Sequence, residues 1–231
     1  MQVGDTGRDI SSVLLATDVT PEVVNEAVMR GCQLIVSHHP LLFHGLKQVC
    51  GQTPQARVVE TAIKHDIAIY SAHTSLDSVP GGINTRLADK LGLSHYRILA
   101  PAPTGTTGLG VIGTLPQAMS YADFIGHIRA ILECTYVRYT RAYKEMIRTV
   151  ALCGGSGAEF IEEAIAQGAD AYLTADCKYH EFQSADGRIG LIDIDHWYSE
   201  RHAREIFREI LAPLGLSCYI SEADQTPIIC K

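Results

Sequence analysis

The 231-residue chain has no apolar run near the ~20 residues that a membrane-spanning helix needs. Its longest, such as residues 12–16 and 34–36, are strand-sized. The N-terminus, MQVGDTGRDI, has no apolar h-region, so no secretory signal is expected. No Lys/Arg block is present, and 19 basic against 26 acidic residues leave a formal charge of -7. A chain of that sign repels phosphate backbones, which argues against nucleic acid as a partner. There is no CxxC pair. The seven cysteines, Cys32, Cys50, Cys134, Cys153, Cys177, Cys218 and Cys230, are odd in number and sit mostly in apolar runs. This pattern excludes a zinc ribbon or disulfide framework and fits reduced thiols in a cytoplasmic protein. GxGxxG, Walker A and GxSxG motifs are also missing; GGSG at 154–157 lacks the Lys-Ser/Thr of a phosphate loop.

Apolar residues make up 46% of the chain and charged residues 19%, a globular balance with ample material for a core. The length suits one large domain or two lobes of roughly 100 residues each. Residues 13–18 (VLLATD) read as a buried strand. Thr20-Pro21-Glu22 then supplies an N-cap, a first-turn proline and an acid, and the helix stops at Gly31. Strands follow at 34–37 and 67–72, with a helix at 56–65 between them and another ending near Leu91-Gly92. This βαβαβα order favours a parallel sheet covered by helices. The Pro/Gly/Thr-rich stretch 100–110 reads as a boundary or surface connection. The pattern then restarts. Strands are expected at 110–115, 136–139, 150–153, 171–175, 191–194 and 218–220, and helices from Ser120 to near Leu132, at 158–166 and at 198–211. The fold class is therefore α/β, with a first lobe at 1–99 and a second at 100–231. Residues 190–231 of the second lobe are expected to pack with the first and to supply site residues.

A shift of 137 positions aligns residues 13–31 with 150–168 without a gap, with identities at Val13/Val150, Leu15/Leu152, Glu22/Glu159, Glu26/Glu163, Ala27/Ala164 and Gly31/Gly168. Internal duplication and ordinary βαβ patterning both account for this. Two later strands also end alike, IAIYSAH at His73 and GLIDIDH at His196, each followed four residues on by a carboxylate, Asp77 and Glu200. In parallel α/β sheets such carboxyl ends are where sites form.

Ten histidines are present. His38 and His39 lie side by side in SHHP, just past a predicted strand, and Pro40 favours a break there. Neutral imidazoles at such a turn suit zinc, iron, nickel or manganese; one loop-exposed and one core histidine would give the same pattern. If the segment from Trp197 is helical, His196 and Glu200 are one turn apart on one face, a spacing that one metal can bridge. Asp195 would N-cap that helix. Three His/acid clusters at strand ends offer four to six ligands, enough for two metals. The stretch TADCKYH at 174–180 holds the place that SHHP holds in the first half and offers Asp176, Lys178 and His180 for proton transfer or phosphate binding; an ordinary polar loop has the same composition. His44, His65, His95, His127 and His202 have no partner pattern.

SHHPLLF, AHTSLDSVPGGIN, GADAYLTADCKYHEF and IDIDHWYSE, in that order, resemble the dinuclear-metal-centre protein family, the Nif-three-like or YbgI-like proteins described as GTP cyclohydrolase I type 2 homologues. The resemblance covers nearly the whole chain. It implies a two-lobed α/β fold with two divalent metals (zinc, iron, manganese or nickel) between the lobes, and a toroidal homohexamer. Mapped by motif, the ligands would be His38, His39, Asp77, His196 and Glu200, with Glu200 bridging and His73 close by. Lys178 and His180 would lie near the cleft. The activity implied is metal-dependent hydrolysis, of GTP or another nucleotide. For GTP, hydroxide would attack C8 of guanine and ring opening would release formate. His73 or His180 would move protons, and Lys178 would meet the triphosphate. A non-catalytic metal-binding scaffold acting through protein partners is the alternative. Two departures stand out. The family's preceding helical segment is missing before Gln2-Val3-Gly4-Asp5, as in a truncated first lobe, and Asp195 replaces a frequent glycine.

Overall fold

The computed structural model describes residues 1–103 and 105–230. The chain forms two compact units, residues 1–76 with 201–225 and residues 77–200 with 226–231. The division thus falls at Leu76/Asp77, where the sequence suggested 99/100. The reason is the strand β4 (Ser94–Pro101), which pairs antiparallel with β5 (Gly108–Ser120) and so commits residues 77–99 to the second unit. The expected connection at 100–110 is largely the turn of this hairpin; Thr104 lies outside the described residues.

The first unit runs β1 (Ser12–Ala16), α1 (Pro21–Arg30), β2 (Leu34–Ser37), α2 (Pro54–Lys64) and β3 (Ala68–Ser71), and ends in the short α3 (Thr74–Asp77), whose last residue begins the second unit. It is completed by α9 (Ala203–Leu211) and β10 (Ser217–Ile220). The sheet is wholly parallel, in the order β10-β1-β2-β3. Residues 13–16 of β1 are fully buried, as expected for a central strand covered on both faces. Thr20 caps α1 by accepting from the Val23 N–H at 3.3 Å, and Gly31 ends it with φ 66°, a left-handed turn that favours glycine. Leu14, Val23, Ala27, Ile35, Val59 and Ile69 form the core of this unit. Each large side chain buried there contributes about 1.5–3 kcal/mol.

Glu26 secures the returning C-terminal segment. Its buried carboxylate accepts from the Ser221 hydroxyl (2.6 Å), from the Glu222 and Ala223 N–H groups (both at 3.1 Å) and from Arg30 Nε (2.8 Å). Burial pushes the Glu26 pKa up, but the Ser221, backbone and Arg30 donors outweigh it and hold the group below its ordinary value.

The second unit contains α4 (Ile83–Lys90), α5 (Tyr121–Leu132), β6 (Val137–Tyr139), β7 (Met146–Ser156), α6 (Ile161–Ala166), β8 (Ala171–Ala175), α7 (Tyr179–Ala185), β9 (Gly190–Ile194) and α8 (His196–Glu200). Its sheet is mixed, in the order β4-β5-β7-β8-β9-β6, with the parallel run confined to β7-β8-β9. Phe124, Leu152, Leu173 and Ile194 pack on one side, and Leu99, Ala151, Tyr172 and Leu191 on the other. The helix expected over 198–211 is instead α8 and α9, separated by a turn at Arg201-His202, the second point of division.

The two halves share more than composition. Val13 pairs with Leu34 and Leu15 with Val36; Val150 pairs with Ala171 and Leu152 with Leu173. The same 137-residue offset therefore relates both strand registers, and Gly31 and Gly168 both end their helices in left-handed turns. The offset does not carry to the next pair: Leu34 faces Ala68 and Ala171 faces Gly190, and from Ala68 to Gly190 it has fallen from 137 to 122.

Candidate functional site

In the first unit the parallel ladder continues one step beyond β2. The His38 N–H donates to the Ala16 carbonyl (3.2 Å) and the His39 N–H to the Thr17 carbonyl (2.9 Å). The hydroxyls of Ser37 and Ser71 lie 2.8 Å apart, and the Ala72 N–H donates to the Ser37 carbonyl (3.0 Å), which places the end of β3 beside that of β2. Three imidazoles meet there. The ring centroids of His38 and His39 are 5.0 Å apart, and His73 lies 5.5 and 5.8 Å from them. Each ring offers one nitrogen, all within 4.8 Å of one another. His38 Nδ1 is 3.2 Å from the Ala72 carbonyl and His39 Nδ1 is 2.9 Å from Asp18 Oδ1. A carbonyl or carboxylate oxygen only accepts, so the neutral rings carry hydrogen on Nδ1 and a lone pair on Nε2. His38 is buried, and His39 and His73 are half-buried.

In the second unit β9 delivers Asp195 and His196. Asp195 is the N-cap expected from the sequence: its carboxylate accepts from the Trp197 N–H (3.0 Å), the Tyr136 hydroxyl (3.3 Å) and Thr226 Oγ1 (3.1 Å). One helical turn then brings His196 Nε2 to 2.9 Å from Glu200 Oε2, while His196 Nδ1 lies 2.6 Å from Asp176 Oδ2. Glu200 is buried. A carboxylate oxygen of Asp77 lies within 4.8 Å of one of Glu200. Asn84 fixes this approach, donating to the Asp77 carbonyl (3.0 Å) and accepting from the Gly154 N–H (2.9 Å). Burial pushes the His196 pKa down, but hydrogen bonds and charge from Asp176 and Glu200 overcome it and raise it to about 10. Burial pushes the Cys153 thiol up to about 12, with the charges of Asp77 and Glu200 adding to the effect. That thiol is a packing group, since thiolates are what ligate and attack.

Gly155 makes the approach of α8 possible. Its φ is 65°, and its N–H donates to Ser199 Oγ at 2.8 Å. A Cβ there would run into Glu200 Oε1 and stand 3.2 Å from His196 Nε2. The GGSG run is therefore a packing device for these two side chains.

Lys178 and His180 lie at the exposed start of α7. The Lys178 N–H donates to the Glu181 carboxylate, and His180 Nδ1 is 3.3 Å from Gln183 Oε1. Among the described residues, His180 belongs to none of the groups of three or more side chains able to share an ion. Among the contributors that escaped the sequence reading are Asp18, whose only signal was its place past the end of β1, Asn84, a polar residue inside an ordinary helix, and Gly155, hidden in a motif judged by its likeness to phosphate loops.

The fold and these side chains define a class: α/β proteins with histidine–carboxylate clusters at the carboxyl ends of parallel strands, suited to divalent metal. The family model for Duf34/NIF3 (NGG1p interacting factor 3) matches residues 1–227. A "GTP cyclohydrolase 1 type 2 homolog" of Clostridium perfringens is 38% identical over 203 residues, covering 87% of this chain and 77% of that one. Another, of Streptomyces coelicolor, is 37% identical over 205 residues, covering 86% and 72%. The structure of a Bacillus cereus protein related to NIF3 superposes with a TM-score of 0.91 at 25% identity, covering all of this chain and 92% of that one. The chain belongs to the Duf34/NIF3 family. No helix among the described residues is long and apolar enough to cross a membrane.

Proposed function

We propose that this protein is a metal-dependent hydrolase with a dinuclear centre held by His38, His39, Asp77, His196 and Glu200. The carrying observation is the donor set. One unit gathers three imidazoles, and the other gathers Asp77, His196 and Glu200, each within coordinating reach inside its own unit. Neutral imidazole and carboxylate suit zinc, iron, manganese or nickel. Divalent cations, when bound, supply Lewis acidity and lower the pKa of water toward neutrality. Around them, His73 would hold or pass a proton, and Glu200, the most buried carboxylate of this donor set, would be the shared ligand. Lys178 and His180 are exposed on the loop that follows Asp176, where an ammonium and an imidazole can meet an anionic substrate.

The names carried by the Clostridium and Streptomyces relatives support GTP, or another nucleotide, as the substrate class. The seven free thiols favour a reducing, cytoplasmic setting. The resemblance of the motifs favours assembly as a toroidal homohexamer, which light scattering on the purified protein would measure. The test of function is a turnover screen of the metal-loaded protein, starting with GTP and measuring formate. Release that disappears in His39→Ala supports the hydrolase reading. Full metal loading with no turnover of any nucleotide assigns a scaffold role instead.

A further inference from the structure

The residues named above are those that would face a metal. Each unit also holds a histidine from behind with an aspartate, and the two arrangements are built alike. In the first unit Asp18 Oδ1 lies 2.9 Å from His39 Nδ1. Asp18 is itself fixed by Asp224, which is buried and accepts from the Thr17 N–H (2.6 Å) and the Asp18 N–H (3.3 Å). Asp224 in turn faces Arg204 at 3.5 Å. In the second unit Asp176 Oδ2 lies 2.6 Å from His196 Nδ1. The residue after it is fixed by Asp193, also buried, which accepts from the Cys177 N–H at 2.6 Å. Asp193 pairs with Arg138 at 2.8 Å, and Arg138 also donates to the Cys177 carbonyl at 3.0 Å. In both cases a buried aspartate, paired with an arginine, holds the backbone that presents a second aspartate to Nδ1 of a histidine.

Asp176 carries a second mark. Its φ is 58°, one of four non-glycine residues with positive φ among the described residues. An L-residue is strained in this left-handed conformation. Strain of this kind persists where the surrounding structure enforces it, often at functional sites. Here the flanking strand β8 is buried throughout and Cys177 is held by Asp193, and the strained backbone aims the carboxylate at His196.

We infer that Asp18 and Asp176 are positioning residues: each accepts the Nδ1–H of its histidine and fixes the ring's orientation, so that Nε2 of His39, and Nε2 of His196 once it has given up the proton it shares with Glu200, is presented as a metal donor. The inference rests on the proposed dinuclear reading. Carboxylates behind metal-bound imidazoles raise ligand basicity, and their loss typically weakens metal binding by about 10–100-fold.

The test is zinc affinity, by competition with a chromophoric chelator, for the wild-type full chain and for Asp18→Asn, Asp176→Asn and Asp176→Gly, with melting temperatures of the metal-free proteins. The two asparagine variants should bind zinc about 10–100-fold more weakly. Asp176→Gly should bind equally weakly while melting at or above the wild-type temperature, because glycine relieves the left-handed strain. A purely structural role would lower stability and affinity together, so this opposite movement separates the two. Wild type that binds zinc alongside asparagine variants that bind within twofold of it overturns the inference alone. Wild type that takes up no zinc overturns the dinuclear reading and the inference with it.

Discussion

Replacing Gly155 with alanine tests the proposed geometry at its tightest point. The substitution does two separable things. It places an L-residue at φ 65°, which costs roughly 1–2 kcal/mol. It also sets a methyl group against Glu200 Oε1, 3.1 Å from Glu200 Cδ and 3.2 Å from His196 Nε2. To restore ordinary contact the carboxylate must retreat by roughly 1 Å, and overpacking of this kind costs about 1–3 kcal/mol. Gly168→Ala is the control: its φ is 79° and nothing lies within 4 Å of the added Cβ, so it pays the backbone term alone. Gly155→Ala should therefore destabilise by about 2–4 kcal/mol in denaturant melts and Gly168→Ala by about half that. The larger difference should appear in zinc titrations. A metal site tolerates only about ±0.2 Å in its ligand distances, so Gly155→Ala should lose about 100-fold or more in zinc affinity and Gly168→Ala nothing. Equal destabilisation by the two variants, with zinc affinity unchanged in both, would refute the reasoning.

Two further predictions concern the scaffold. Glu26→Ala strands the Ser221 hydroxyl and the Glu222 and Ala223 N–H groups and should cost about 3 kcal/mol in urea unfolding, since donors of a buried charged acceptor lose it. Because the folded pKa of Glu26 lies below its ordinary value of 4.5, its contribution is fully present above that pH and fades as pH falls through the lower folded value. Acid titrations of wild type and Glu26→Ala should therefore converge below pH 4.5; a constant gap down to the lowest pH would contradict this. Asp195→Ala removes the cap of α8 and the acceptor of the Tyr136 and Thr226 hydroxyls, and should cost about 1–2 kcal/mol by thermal melting. It should also release Tyr136, held up at about 12 by burial and then by the Asp195 charge, so that one tyrosine in the ultraviolet titration ionises at lower pH.

Much of this arrangement is legible in the chain. Buried parallel strands are short apolar runs with few competing readings, and 34–37 and 171–175 match their predicted bounds. Caps at Thr20, Ser120 and Asp195 name themselves by residue type. What stayed hidden has physical reasons. Strand β4 carries a bulge: His95 sits at φ 50° and the ladder to β5 slips between Ser94 and Arg97, which breaks the alternation a strand should show. Helix α7 buries only Ala185, so it has no apolar stripe and reads as a polar loop. The division of the chain depends on which sheet β4 joins, a pairing that local pattern does not encode. At the candidate site, the histidines were readable because they cluster at strand ends, and Asp77 and Glu200 because each stands four residues beyond one of them. Asp18 and Gly155 were not, because an aspartate after a strand and a glycine in a turn are ordinary until a neighbouring side chain is seen to need them.

The central claim is that the two ligand sets hold divalent metal. Elemental analysis of gently purified protein, beside a His38→Ala/His39→Ala double variant, tests it most directly. About two divalent ions per chain in the wild type, lost in the double variant, is the predicted result. A wild-type chain that carries no metal after reconstitution with zinc, iron, manganese and nickel would contradict it.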